Sequence, residues 1–66
     1  MNINILRGEI ATKFKTQRAF AEHIDWHPNK VSAVLSEKYK LDTDDISLFV
    51  SALEMTEETF CKIFLK

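Results

Sequence analysis

Apolar residues recur along this chain at intervals of three and four, in five clusters separated by short polar breaks, the spacing of helices that each bury one face. Ile3, Leu6, Ile10 and Phe14 share a face of a first helix, predicted from Ile3 or Asn4 to about Lys13, with Asn2 or Asn4 placed to cap its start. Gly8 interrupts that helix at a cost of about 1 kcal/mol relative to Ala and marks a candidate close helix–helix contact. A second helix follows Thr16, a good N-cap, and turns Ala19, Phe20 and Ile24 inward, with Ala21 small enough for close packing. A third runs from Pro28 to about Glu37 over Val31, Val34 and Leu35. After the loop Lys38–Leu41, Asp42 or Thr43 caps a fourth helix over Ile46, Phe49, Val50 and Leu53, with Asp44 and Asp45 in the first turn. Thr56 caps a fifth, which carries Phe60, Ile63 and Phe64 inward behind Glu57 and Glu58. No segment reads as a strand, so the expected fold is all-α with short connections.

The stretch Thr16–Glu37 carries the most information. Its two short helices are joined by a tight break at Asp25-Trp26-His27. Asp25 is the residue expected at positive φ, because Asp and Asn tolerate the left-handed region better than other side chains. Trp26 is expected to tuck between the helices, as a core plug rather than a base-stacking platform. His27 precedes a proline and is pushed toward the extended backbone of an N-cap, and Pro28 suits the first helical position, where its missing N–H costs nothing. A second helix held by such a turn is a common way to present side chains to the DNA major groove.

Composition narrows the classes. Sixty-six residues allow one small domain, near the lower limit for a self-sufficient core, so dimerisation is a natural source of further stability. The longest apolar runs are too short to cross a bilayer, and the first residues, MNINILRGEI, lack a signal-peptide pattern. The single cysteine, Cys61, excludes an internal disulfide, fits a reducing cytoplasm and reads as a small, partly buried helix residue. His23 and His27 have no third ligand in sequence for zinc, and Asp42, Asp44 and Asp45 lack the glycine and distal glutamate of a calcium loop. The five phenylalanines read as core. With no nucleophile–base pair, phosphate-cradling loop or paired acid/base carboxylates, neither an enzyme nor a cofactor is expected.

The net charge of −1 argues against nucleic acid, but its distribution does not. Residues 13–40 hold six cations (Lys13, Lys15, Arg18, Lys30, Lys38, Lys40) against three carboxylates, a balance of +3. Residues 41–66 hold Lys62 and Lys66 against six carboxylates, a balance of −4. One face can thus turn toward phosphate while another stays away, although ordinary solvated helix surfaces give the same counts.

Taken together, Thr16-Gln17, Phe20-Ala21-Glu22, Ile24, the turn residue Asp25, apolar Trp26, Val31-Ser32 and Val34 resemble the helix-turn-helix of the Cro/C1-type (XRE-like) phage repressors. Ile46–Thr59 is similar to the fourth helix and the start of the fifth in that family. The opening run Lys13-Phe14-Lys15-Thr16-Gln17 and the phenylalanine-rich last helix resemble small Cro-like regulators of phages of Gram-positive bacteria. The resemblance implies a five-helix, lambda-repressor-like DNA-binding domain spanning residues 1–66, with the motif at about 17–37. It implies a cytoplasmic, nucleoid-associated transcriptional regulator that reads a double-stranded operator with its third helix, as a homodimer. Carried over residue by residue, Gln17 would touch backbone phosphate and brace the recognition helix, and Thr16 would cap the second helix and aim its free N–H groups at phosphate. Pro28, Asn29, Lys30, Ser32 and Ala33 would occupy base-reading positions, with Asn29 bidentate at adenine, Lys30 at guanine or phosphate, and Ala33 on a thymine methyl. Lys38 and Lys40 would clamp phosphate. Leu48 and Leu65, with the fifth-helix face, are the first candidates for a dimer surface. This sequence departs from the family at Asp25, where a turn glycine is usual, and at Pro28 and Ala33, which thin the readers. Those departures leave an alternative: an antirepressor that docks on a phage repressor protein and masks its DNA-reading surface.

Overall fold

The computed structural model describes residues 1–65; the charge of Lys66 counted above lies outside them. Five helices make up the regular structure among these residues, with no strand: α1 (Ile3–Phe14), α2 (Gln17–His23), α3 (Pro28–Leu35), α4 (Thr43–Ala52) and α5 (Glu57–Phe64). Every helix begins at a side-chain cap. Asn2 accepts from the Ile5 N–H, Thr16 from Ala19, His27 from Asn29, Asp42 from Asp45 and Thr56 from Thr59. Asp42 and Asp45 close a reciprocal capping box, each carboxylate accepting from the other's N–H.

The helix ends follow an equally regular rule. After α2, α3 and α4 the chain turns through a residue at positive φ: Asp25 (62°), Glu37 (62°) and Glu54 (47°). In each case the N–H of the next residue reaches back five positions, Trp26 to the Ala21 carbonyl, Lys38 to Ala33 and Met55 to Val50, at 2.8–3.0 Å. The left-handed residue bonds inside that loop, from Asp25 to Glu22, Glu37 to Val34 and Glu54 to Ser51. These are Schellman motifs, usually built on glycine. Here three acidic residues hold the left-handed position, at a steric cost and beside the negative ends of helix dipoles. Lys15 (φ 71°) stands in a tight γ-turn between α1 and α2, where the Thr16 N–H reaches the Phe14 carbonyl at 2.8 Å.

The core is fed by all five helices: Leu6 and Ile10, Phe20 and Ala21 with Ile24, Val31 with Val34 and Leu35, Phe49 with Leu53, and Ile63, joined by Leu41 from the loop. Edge-to-face rings run through it, Phe14 to Phe20 at 5.2 Å and Phe20 to Phe49 at 5.0 Å. Burying each such side chain contributes about 1.5–3 kcal/mol. Exposed ion pairs such as Arg18–Glu22 contribute at most about 1 kcal/mol, so packing decides the architecture. The Asn2 N–H bonds to the Ile63 carbonyl at 2.7 Å and ties the start of α1 to α5.

Several sequence expectations change. Gly8 is exposed, and a Cβ built on it would meet nothing within 4 Å, so it makes no close helix contact. Cys61 is exposed rather than partly buried, because Ile63 is the residue of α5 that turns fully inward. Helix α3 ends at Leu35, two residues early, because the backbone carries Glu37 into the left-handed region. Ile46 and Phe64, half-buried, pack against the core as expected, whereas Ala19, Val50 and Phe60 are half-buried outside it. No helix of the described residues is long and apolar enough to cross a membrane.

Candidate nucleic-acid interface

Four non-helical residues, Ile24–His27, separate α2 from α3. Ile24 is buried, Asp25 takes positive φ as its side chain suggests, and Trp26 turns in beside Phe49 at 5.3 Å and Tyr39 at 6.2 Å. Trp26 is half-buried: it seals the corner without vanishing into the core. The His27 Nδ1 accepts the Asn29 N–H at 3.0 Å, and Pro28 fills the first helical position. Helix α3 is thus fixed at its start by a side-chain cap and along its inner face by Val31, Val34 and Leu35. Its last carbonyl, from Leu35, accepts a hydrogen bond from the Arg7 guanidinium at 3.3 Å, placing a cation at the negative end of the α3 dipole.

That scaffold leaves a small outward face. Asn29 and Ser32 are exposed, Pro28 and Ala33 half-buried, and Lys38 and Lys40 stand exposed beyond the helix end. Thr16 is exposed and spends its acceptor on the Ala19 N–H, leaving its own hydroxyl hydrogen to donate outward; Gln17 is half-buried at the first position of α2. Lys30 departs from the expected arrangement. Its ammonium sits 4.1 Å from the Trp26 ring centroid and 5.1 Å from that of Tyr39, a cation–π seat that folds it back onto the corner instead of outward. Tyr39, which the sequence did not single out, forms the far wall of that seat, and its hydroxyl lies 3.5 Å from Asp45 Oδ2.

The positive balance of residues 13–40 shrinks in the same way. Lys13 pairs with Glu9 at 3.0 Å and donates to the Leu53 carbonyl at the end of α4. Arg18 lies 3.7 Å from Glu22. With Lys30 on its rings, half of the six cations are engaged internally, and Lys15, Lys38 and Lys40 make no ion pair among the described residues. Arg7 and Lys13 could not be assigned as helix-end donors from sequence, since each reaches a carbonyl 28 or 40 residues away. No group of three or more metal-ligating side chains occurs among the described residues.

Fold and surface together define a class: a small all-α bundle in which a capped, left-handed corner presents a short polar helix face. Comparison with protein-family models, with characterised proteins and with solved structures gives no match to this chain.

Proposed function

We propose that this chain is a sequence-specific DNA-binding transcriptional regulator of the Cro-like repressor kind, of phage or prophage origin, with α3 as the reading helix. The observation that carries the reading is the face of α3: short, polar, exposed at Asn29 and Ser32, and held rigid from behind by its cap, its apolar face and Arg7. Asn29 supplies the donor–acceptor pair that matches adenine in the major groove, and Ser32, one turn on, adds a hydroxyl. Lys38 and Lys40 supply phosphate contacts, joined by Thr16 and Gln17 at the start of α2. With few direct readers, part of the discrimination falls to duplex shape and deformability. Two copies on a symmetric operator would double the contacts that one small domain makes.

The test is selection of bound duplexes from a randomised library, with the protein carrying Asn29→Ala and Ser32→Ala as the comparison. The wild type should enrich one sequence; the double variant should keep its helicity and enrich none. Equal enrichment by both proteins overturns α3 as the reader.

The internal engagement of Lys13, Arg18 and Lys30 favours one second reading, an antirepressor that binds a phage repressor protein. Salt separates the two. Duplex binding through about three phosphate contacts should weaken with a log–log slope of about −3, because each contact releases counterions. Absence of duplex binding at low salt, with a stoichiometric complex formed on a phage repressor, favours the second reading.

A further inference from the structure

Away from the α2–α3 corner, α4 and α5 frame a cleft of about 480 Å³ lined by Thr43, Ile46, Ser47, Val50, Ser51 and Phe60. Its walls are mainly apolar. Val50 and Phe60 are half-buried yet stand outside the core cluster, and the Phe60 ring finds its aromatic neighbour in Phe64, at 5.1 Å, rather than in the interior. Apolar surface of this kind, concave and only half-buried, is a candidate for cover by something else. The rim has one sign. From Asp42 to Phe60 the chain carries six carboxylates and no cation. Asp44 and Glu57 each stand one helical turn from a cleft residue, Ser47 and Phe60, and Glu54 lies exposed in the turn between α4 and α5. The cations that flank this stretch in sequence are Lys40, exposed and without an ion pair among the described residues, and Lys62, paired with Glu58 at 3.4 Å.

We infer that the α4–α5 cleft is a docking groove for a basic amphipathic helix of another protein, which seats apolar side chains on Val50 and Phe60 and sets lysines or arginines against the acidic rim. Charge complementarity decides the occupant. A second copy docked through the same face would set carboxylates against carboxylates, a repulsive arrangement. A small apolar ligand would leave the rim unmatched. An incoming helix satisfies both parts, since apolar residues three or four apart lie about 5–6 Å from one another along one face and α4, ten residues long, spans about 15 Å. The inference stands independently of whether α3 reads DNA.

The test is a chemical-shift titration of the isotope-labelled full chain with an amphipathic probe peptide of about 16 residues, leucine on one face and lysine on its flanks. Shifts should map to Ile46–Ser51 and Phe60, and the same peptide with glutamate in place of lysine should bind at least about tenfold more weakly. In the variant Glu54→Lys with Glu57→Lys, both exposed positions whose replacement leaves the core untouched, the preference between the two peptides should reverse. Equal binding of both peptides, or shifts centred on α2 and α3, overturns the inference. So do concentration-dependent shifts at the cleft without peptide, which would make a second copy the occupant. No DNA enters the readout, so failure here and failure of the duplex selection are distinguishable.

Discussion

The molecule contains two corners of the same design. Ile24–His27 joins α2 to α3, and Leu53–Thr56 joins α4 to α5. Each begins with a buried apolar C-cap, passes through an acidic residue at positive φ and closes the same pair of backbone hydrogen bonds. Each then turns a large apolar side chain inward, Trp26 or Met55, and restarts an eight-residue helix from a side-chain N-cap. The backbones match; the surfaces do not. Helix α3 shows Asn29 and Ser32 and leads to Lys38 and Lys40, whereas α5 opens on Glu57 and Glu58 and shows Lys62 tied to Glu58. The shared backbone therefore does not by itself set the charge that either corner presents. The side chains beyond the corner decide whether phosphate is attracted or repelled.

The largest effect should come from the residue that holds the two corners together. Phe49 on α4 is fully buried and meets both Phe20 and Trp26, so it docks the second helix pair onto the first. Phe49→Ala should cost about 3–5 kcal/mol through lost transfer energy and a cavity. A 66-residue domain has little more stability than that to lose, so the cooperative thermal transition should disappear from circular dichroism. A variant that melts within a few degrees of wild type would mean that the corners fold independently.

Next in size is the asymmetry between the outward faces. The Asn29→Ala and Ser32→Ala changes should each remove about 1–3 kcal/mol of base discrimination if α3 is the reader. The mirror changes on α5, at Glu58 and Lys62, should leave duplex selection untouched. A loss of selection from the α5 variants would reverse the assignment of the two corners.

The shared left-handed position gives a finer probe. Asp25→Gly and Glu54→Gly each relieve the steric cost of positive φ while adding the greater chain entropy of glycine, a net gain of about 0.5–1 kcal/mol. Each should raise Tm by about 2–8 °C in a domain of this size. The two should diverge on duplex affinity, since the Asp25 change removes a negative charge beside the proposed reading helix and the Glu54 change does not. Equal effects on affinity would place Asp25 outside the field of the bound duplex.

The positions of these corners were legible because their signals are local. Thr16, Asp42 and Thr56 are caps by their chemistry, Pro28 fixes a helix start through its ring, and the three-and-four spacing names Phe20, Val31, Val34, Phe49 and Ile63 as interior. The misreadings have a common source. Gly8 suggested a close contact, but no element packs over that face of α1. Positive φ at Glu37 and Glu54 carries no sequence mark, since neither residue favours it and the hydrogen bonds to Ala33 and Val50 impose it. Arg7 and Lys13 find their partners only after the chain has folded across 28 and 40 residues. Of the proposed contact residues, Thr16, Asn29, Ser32, Lys38 and Lys40 are exposed, and Lys30 is drawn back over Trp26 and Tyr39, the latter a residue from beyond the helix.

Lys30 supplies the smallest and most discriminating measurement. An ammonium over two partly exposed rings contributes about 0.5–1 kcal/mol, so Lys30→Ala should lower Tm by a few degrees. Because its ammonium is held over Trp26 and Tyr39 rather than extended toward a phosphate, the salt dependence of duplex binding should stay as in wild type. Lys38→Ala and Lys40→Ala should behave the opposite way, each leaving Tm in place and reducing the slope of log K against log salt by about 1. If Lys30→Ala reduces that slope as much as they do, the ammonium leaves its aromatic seat when DNA arrives. The first corner would then differ from the second by a movable cation as well as by its fixed surface.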